Sequence, residues 1–103
     1  VPMYGTIARF RVLPGKGKEM LKLMSSDDAL AIDGWVADYI YQTDNDPDEF
    51  FLVAFFRNKS TYLANANSAG QHNRYMKWRA LLTDDPEWND GMVVVASGPQ
   101  AHK

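Results

Sequence analysis

Cysteine is absent, and His72 and His102 are the only histidines in 103 residues. Without thiols the chain has neither a disulfide framework nor a thiolate metal site, and two histidines alone do not close a zinc site. No metal or other cofactor is expected. An excess of one charge is missing too: 11 basic residues against 13 acidic ones leave a net charge of -2. That excludes the basic footprint needed for a phosphate backbone, so no nucleic acid partner is expected. No apolar run approaches the roughly 18 residues of a membrane span. No basic segment leads into an apolar core near the start. A cytoplasmic protein with no membrane partner is the expectation. Glycine-rich phosphate loops and the GxSxG nucleophile turn are also lacking, which leaves nucleotide binding and serine hydrolysis without support.

What is present is an ordinary globular composition, 46% hydrophobic and 23% charged, which argues for a packed core rather than disorder. Residues 1–103 are read as one domain, the size that supports a single core. Met3 to Leu13 reads as a strand, stopped by Pro14-Gly15. A helix is expected from Lys16 to about Leu30, carried by Met20, Leu21, Leu23 and Met24 and ended by Asp33-Gly34. Trp35 to Thr43 and Glu49 to Arg57 read as two strands joined through the turn formers from Asp44 to Asp48. Asn58 is a good cap for a short helix to about Asn67. Ser68-Ala69-Gly70-Gln71 matches a capping box, so a new helix is expected there, running to about Leu82. Gly91 then opens a last strand, Met92 to Ala96. The order β-α-β-β-α-α-β gives an α+β fold, a ferredoxin-like split βαβ with a four-stranded antiparallel sheet.

One strand carries information about assembly. Phe50 to Phe56 is apolar on both faces, as is Val93-Val94-Val95, and a strand apolar on both sides expects cover on both. Helices cover one face; a second copy of the chain, packed sheet to sheet, is the simplest cover for the other. A homodimer is therefore expected. Arg9 and Arg11 should point away from Ala8 and Phe10, toward the dimer face, where Asp38 is the expected partner for one of them.

The candidate chemistry gathers in the second half. Asp44, Asp46, Asp48 and Glu49 superficially suit a calcium loop, but Pro47 interrupts it, and Glu49 and Phe55 stand where such loops need glycine and glutamate. These carboxylates are read as turn residues. Tyr62, Asn65 and His72 lie at spacings that set them along one side of the helical region, followed by Asn73, Tyr75 and Trp78. Polar groups carried toward an apolar sheet make a small-molecule pocket, and histidine is the side chain that ordinarily titrates near neutrality. His72, Tyr62 and Asn65 are the catalytic candidates; Phe10, Val53, Tyr75 and Trp78 are the candidate substrate-binding walls. The structural alternative makes His72 a capping or packing residue, with the aromatics as core.

The stretch from Met3 to Val12 with Pro14-Gly15-Lys16, the Gly34-Trp35 strand start, the Asp46-Pro47 hairpin and Ser68-Ala69-Gly70-Gln71-His72 resemble the antibiotic biosynthesis monooxygenase family, from Met3 to about Ala96. The resemblance implies a dimeric α+β barrel in which each protomer holds its own cleft. It also implies oxidation of a phenol or quinol by dioxygen with no metal or flavin, the deprotonated substrate serving as electron donor. The heme-degrading branch matches at His72, but Tyr62 stands where that branch has tryptophan and Ala8 where it has asparagine. The alternatives carried forward are a non-catalytic, small-molecule-binding or stress-associated dimer and a heme-binding protein.

Overall fold

A computed structural model describes residues 2–25 and 32–99. Its elements are β1 (Tyr4–Arg11), α1 (Gly17–Met24), β2 (Trp35–Gln42), β3 (Glu49–Phe56), α2 (Lys59–Ala66), α3 (Ala69–Arg79) and β4 (Asp90–Met92). The expected α+β order is the one observed. The four strands form one antiparallel sheet in the order β2-β3-β1-β4. The second half of the expected first helix lies outside the described residues, as does His102.

Strict alternation makes the sheet. In β1, Thr6, Ala8 and Phe10 are buried while Ile7, Arg9 and Arg11 are exposed. In β3, Phe50, Leu52, Ala54 and Phe56 are buried and the residues between them are half-buried. Of these, Ala8, Phe10, Phe50, Leu52 and Ala54 meet Met20 of α1, Trp78 of α3 and Leu82 to form the core. Phe10 stacks on Phe50 at 5.6 Å and meets the edge of Trp78 at 4.8 Å.

Local chemistry fixes where the helices begin. Asn58 Oδ1 accepts from the Thr61 amide at 3.0 Å, capping α2. Ser68 Oγ accepts from the Gln71 amide at 3.1 Å, so α3 starts afresh instead of continuing α2. Gly34 sets the approach of α2 to the sheet. Its φ is +81°, and a Cβ there would lie 2.4 Å from the Thr61 side chain; only glycine satisfies both demands.

Two sequence expectations are corrected. The last strand is Asp90–Met92, earlier and shorter than Met92 to Ala96. Only the Val93 amide continues the pairing, donating to Met3 O at 2.9 Å, and Val94 and Val95 are exposed. A run of valines has strand propensity, but propensity yields where no neighbouring backbone is in register. Arg9 and Arg11 do point away from Ala8 and Phe10, yet neither pairs with Asp38. Arg9 binds Glu49 and Glu87, at 2.7 and 2.9 Å, and Arg11 pairs with Asp46. The reason is topological: β3 lies between β1 and β2, and Asp38 faces the helices.

Candidate functional site

The helices leave a cleft of about 500 Å3 above the inner face of the sheet. One register row crosses its floor from edge to edge. Asp90 pairs with Thr6, Thr6 with Ala54, and Ala54 with Asp38, in that order across β4, β1, β3 and β2. With strands about 4.8 Å apart, the two carboxylate positions stand roughly 14 Å from each other. The small residues Thr6 and Ala54 between them keep the floor low. The helical side supplies Tyr62 and Asn65 from α2 and His72, Arg74, Tyr75, Lys77 and Trp78 from α3. Met24, Trp35 and Trp88 close the ends.

At one end the Tyr62 hydroxyl donates to Asp90 Oδ1 at 2.8 Å. The Tyr62 ring is held edge-on by Tyr4 at 5.2 Å and Phe56 at 5.7 Å. Burial first, and then the bond to Asp90, push the Tyr62 phenol well above the ordinary tyrosine range. Tyr62 is thus a neutral donor that is already engaged.

At the other end a β-bulge does the positioning. Trp35 pairs with Phe56 and Ala37 with Phe55, leaving Val36 as the extra residue. Three positions apart on a regular strand means opposite faces; the bulge puts Trp35 and Asp38 on the same one. The Trp35 indole N–H donates to Asp38 Oδ1 at 2.9 Å. Burial pushes the Asp38 carboxyl up, and the indole bond partly offsets it. Water still reaches this side chain along the cleft, so desolvation acts on it without sealing it.

On the helical side, Arg74 Nη2 donates to Asn65 Oδ1 at 3.3 Å and to Gln71 Oε1 at 3.2 Å. The guanidinium is held by neutral amides, so its charge is available to the cleft. Tyr75, Trp78 and Trp88 form an aromatic cluster, with Trp78 and Trp88 5.8 Å apart. The Trp78 indole N–H has no acceptor among the described residues.

Of the residues singled out from sequence, Tyr62, Asn65, His72, Tyr75 and Trp78 line the cleft. His72 does so at the mouth, with its residue exposed. Phe10 is buried behind Trp78 and supports it from within the core. Val53 is a correction. It sits on the outer face of β3, paired with Ile7 and Tyr39, while Leu52 and Ala54 face the cleft. Asp38, Trp35, Arg74, Trp88 and Asp90 were not found by sequence reasoning.

The family model of the antibiotic biosynthesis monooxygenases matches residues 3–78. No match is found among curated proteins. Solved structures share the fold. A conserved protein from Methanosarcina mazei Go1 superposes with a TM-score of 0.78 at 17% identity, over 87% of this chain and 91% of that one. A candidate antibiotic biosynthesis monooxygenase from Chloroflexus aurantiacus J-10-fl gives 0.76 at 19% identity, over 93% and 97%. A variant of SnoaB, a cofactor-independent oxygenase from Streptomyces nogalater, gives 0.75 at 15% identity, over 97% and 99%.

Proposed function

The chain belongs to the antibiotic biosynthesis monooxygenase family, and from that premise we propose that its cleft oxidises a small aromatic phenol or quinol with dioxygen and without a cofactor. For a phenol with an open ring position the balance is phenol plus dioxygen giving quinone plus water. One oxygen atom forms a carbon–oxygen bond, the other leaves as water, and the substrate supplies all four electrons. The observation that carries this reading is the cleft itself, with aromatic walls and a few polar groups converging from α2 and α3. His72 and Arg74 offer positive or hydrogen-bonding groups to a developing oxyanion. Tyr62 and Asn65 orient the ring; Tyr75 and Trp78 wall it. The SnoaB likeness supports the fold that such chemistry uses.

The reading includes a cytoplasmic homodimer. Ile7, Tyr39, Tyr41, Phe51, Val53 and Phe55 share the outer face of the sheet, and Ile7, Tyr39 and Tyr41 are exposed. Arg9 and Arg11 on that face already have carboxylate partners within their own chain, so covering them strands no lone charge.

Oxygen uptake with a panel of phenols and hydroquinones tests the proposal. Uptake matched by an equal amount of quinone supports it. Binding of panel members with no uptake favours the non-catalytic ligand-binding alternative, for which the exposed position of His72 is the supporting observation. The heme reading has no asparagine to use at position 8, where a buried alanine stands.

A further inference from the structure

We propose that Asp38 is the group that receives the hydroxyl proton of the cleft's ligand, with Trp35 as its positioning residue. This rests on the phenol-oxidising reading and adds to it a residue on the sheet, where the family resemblance points to the helices.

Three observations carry it. The bulge at Val36 turns both Trp35 and Asp38 to the cleft side of β2, and bulges recur where a side chain must be re-aimed beside a site. The indole N–H occupies Oδ1 at 2.9 Å, which leaves Oδ2 as an acceptor with no hydrogen bond or cation among the described residues. The other groups facing the cleft are less well aimed. Asp90 of β4 also keeps one oxygen free, but its other is tied to the phenol of Tyr62 of α2 and it sits in regular register with no bulge aiming it, and Arg74 and Lys77 of α3 are donors only. His72 of α3 is exposed at the mouth, as Asp38 is along the cleft, but among the described residues no hydrogen bond holds its ring as Trp35 holds Asp38. In the step, the ligand's O–H bond breaks with its electron pair staying on oxygen. The proton bonds to Asp38 Oδ2, so charge moves from carboxylate to ligand and the pair's total is unchanged. The positive groups of α3 face the resulting oxyanion. Partial desolvation of the carboxyl, which stays open to water along the cleft, supports the role, because it makes the carboxylate a stronger proton acceptor.

Anaerobic calorimetry with 1-naphthol and 1-methoxynaphthalene isolates the contact, since the two share a ring system but only the first carries a hydroxyl. The wild-type protein is expected to prefer naphthol by roughly tenfold or more, the scale of a hydrogen bond to a charged group. Asp38→Asn, which keeps an acceptor for the Trp35 N–H, is expected to abolish the preference. In the wild type the preference is lost as pH falls through the raised pKa of Asp38. Trp35→Phe removes a donor that favours the carboxylate, so it moves that midpoint to higher pH, which a purely structural role does not. Equal binding of the two probes by the wild type, or an unchanged preference in Asp38→Asn, overturns the assignment. No oxygen enters this measurement. Quinone formation with an unchanged Asp38→Asn preference therefore sinks the assignment alone, and a lost preference with no oxygen uptake sinks the oxygenase reading alone.

Discussion

The Tyr62 hydroxyl donates to Asp90 Oδ1 at 2.8 Å across 28 residues of sequence, tying α2 to the short strand that forms the sheet edge. Asp90 also pairs in register with Thr6, so one end of the cleft depends on a three-residue strand held by few backbone bonds. Tyr62→Phe keeps the ring packed between Tyr4 and Phe56 and removes only the hydroxyl. A loss of about 1 kcal/mol in urea denaturation is expected, the scale of one partly exposed hydrogen bond.

The same pair predicts an alkaline signature. The folded phenol titrates above its ordinary value of 10.0, chiefly through burial. A group raised in the folded state contributes stability that is intact below the unfolded pKa and is lost as pH climbs toward the folded one. Wild-type stability is therefore expected to fall above about pH 10, where unfolded tyrosine ionises. Tyr62→Phe should show a shallower decline in that window, as read from denaturation midpoints at pH 9 and above.

Asp38 predicts the opposite sign from an ordinary paired carboxylate. Its folded pKa lies above the usual 3.8 because burial outweighs the Trp35 hydrogen bond. The favourable contribution is present below the unfolded pKa and is lost as pH rises through the folded one. Asp38→Asn is accordingly expected to be more stable than wild type at neutral pH, with the gap closing as pH falls below about 4. Thermal midpoints across that range check it. A more stable Asp38→Asn protein would mark Asp38 as a cleft group that serves function at the expense of folding.

Much of the fold was legible because its signals are local and periodic. Alternation from Thr6 to Arg11 phased β1 correctly, and Asn58 and Ser68 marked two helix starts through side-chain caps that the structure contains. Phasing failed at Val53 for a physical reason. Phe50 to Phe56 is apolar at every position, so no alternation says which side faces the helices. Asp38 was assigned to the wrong side of the sheet because its orientation depends on one extra residue at Val36, which a count of twos along a strand does not reveal. The floor row of Asp90, Thr6, Ala54 and Asp38 joins four strands through sheet order, and that order is a tertiary fact. Trp88 and Arg74 were missed likewise, since a loop tryptophan and a helix arginine carry no spacing that separates a cleft from a surface.

Gly34 offers a direct test of how α2 is seated. Its positive φ and the 2.4 Å approach of Thr61 to a would-be Cβ mean that alanine is both strained and overpacked. Gly34→Ala is expected to cost about 2–4 kcal/mol, combining the backbone and packing penalties. That is a large share of the stability of a domain this size. Chemical denaturation measures it.

His72→Ala is the decisive variant for the helical side of the cleft. His72 is exposed at the mouth and lies in the first turn of α3 after the Ser68 cap, its amide donating to Ser68 O at 3.1 Å. That backbone bond survives truncation, and no core contact is removed, so the fold should be retained within about 0.5 kcal/mol and the assembly state should match that of wild type. If the imidazole steadies the ligand's oxyanion, turnover of any phenol or hydroquinone found in the uptake panel should fall by roughly 100-fold, the scale for losing one donor to a developing charge. Tyr62→Phe should lose less, because its hydroxyl is already committed to Asp90. Steady-state oxygen uptake of the three proteins, with sedimentation equilibrium to confirm unchanged assembly, gives the comparison. Undiminished turnover in His72→Ala removes histidine from the reaction and leaves Arg74 as the positive group that faces the oxyanion.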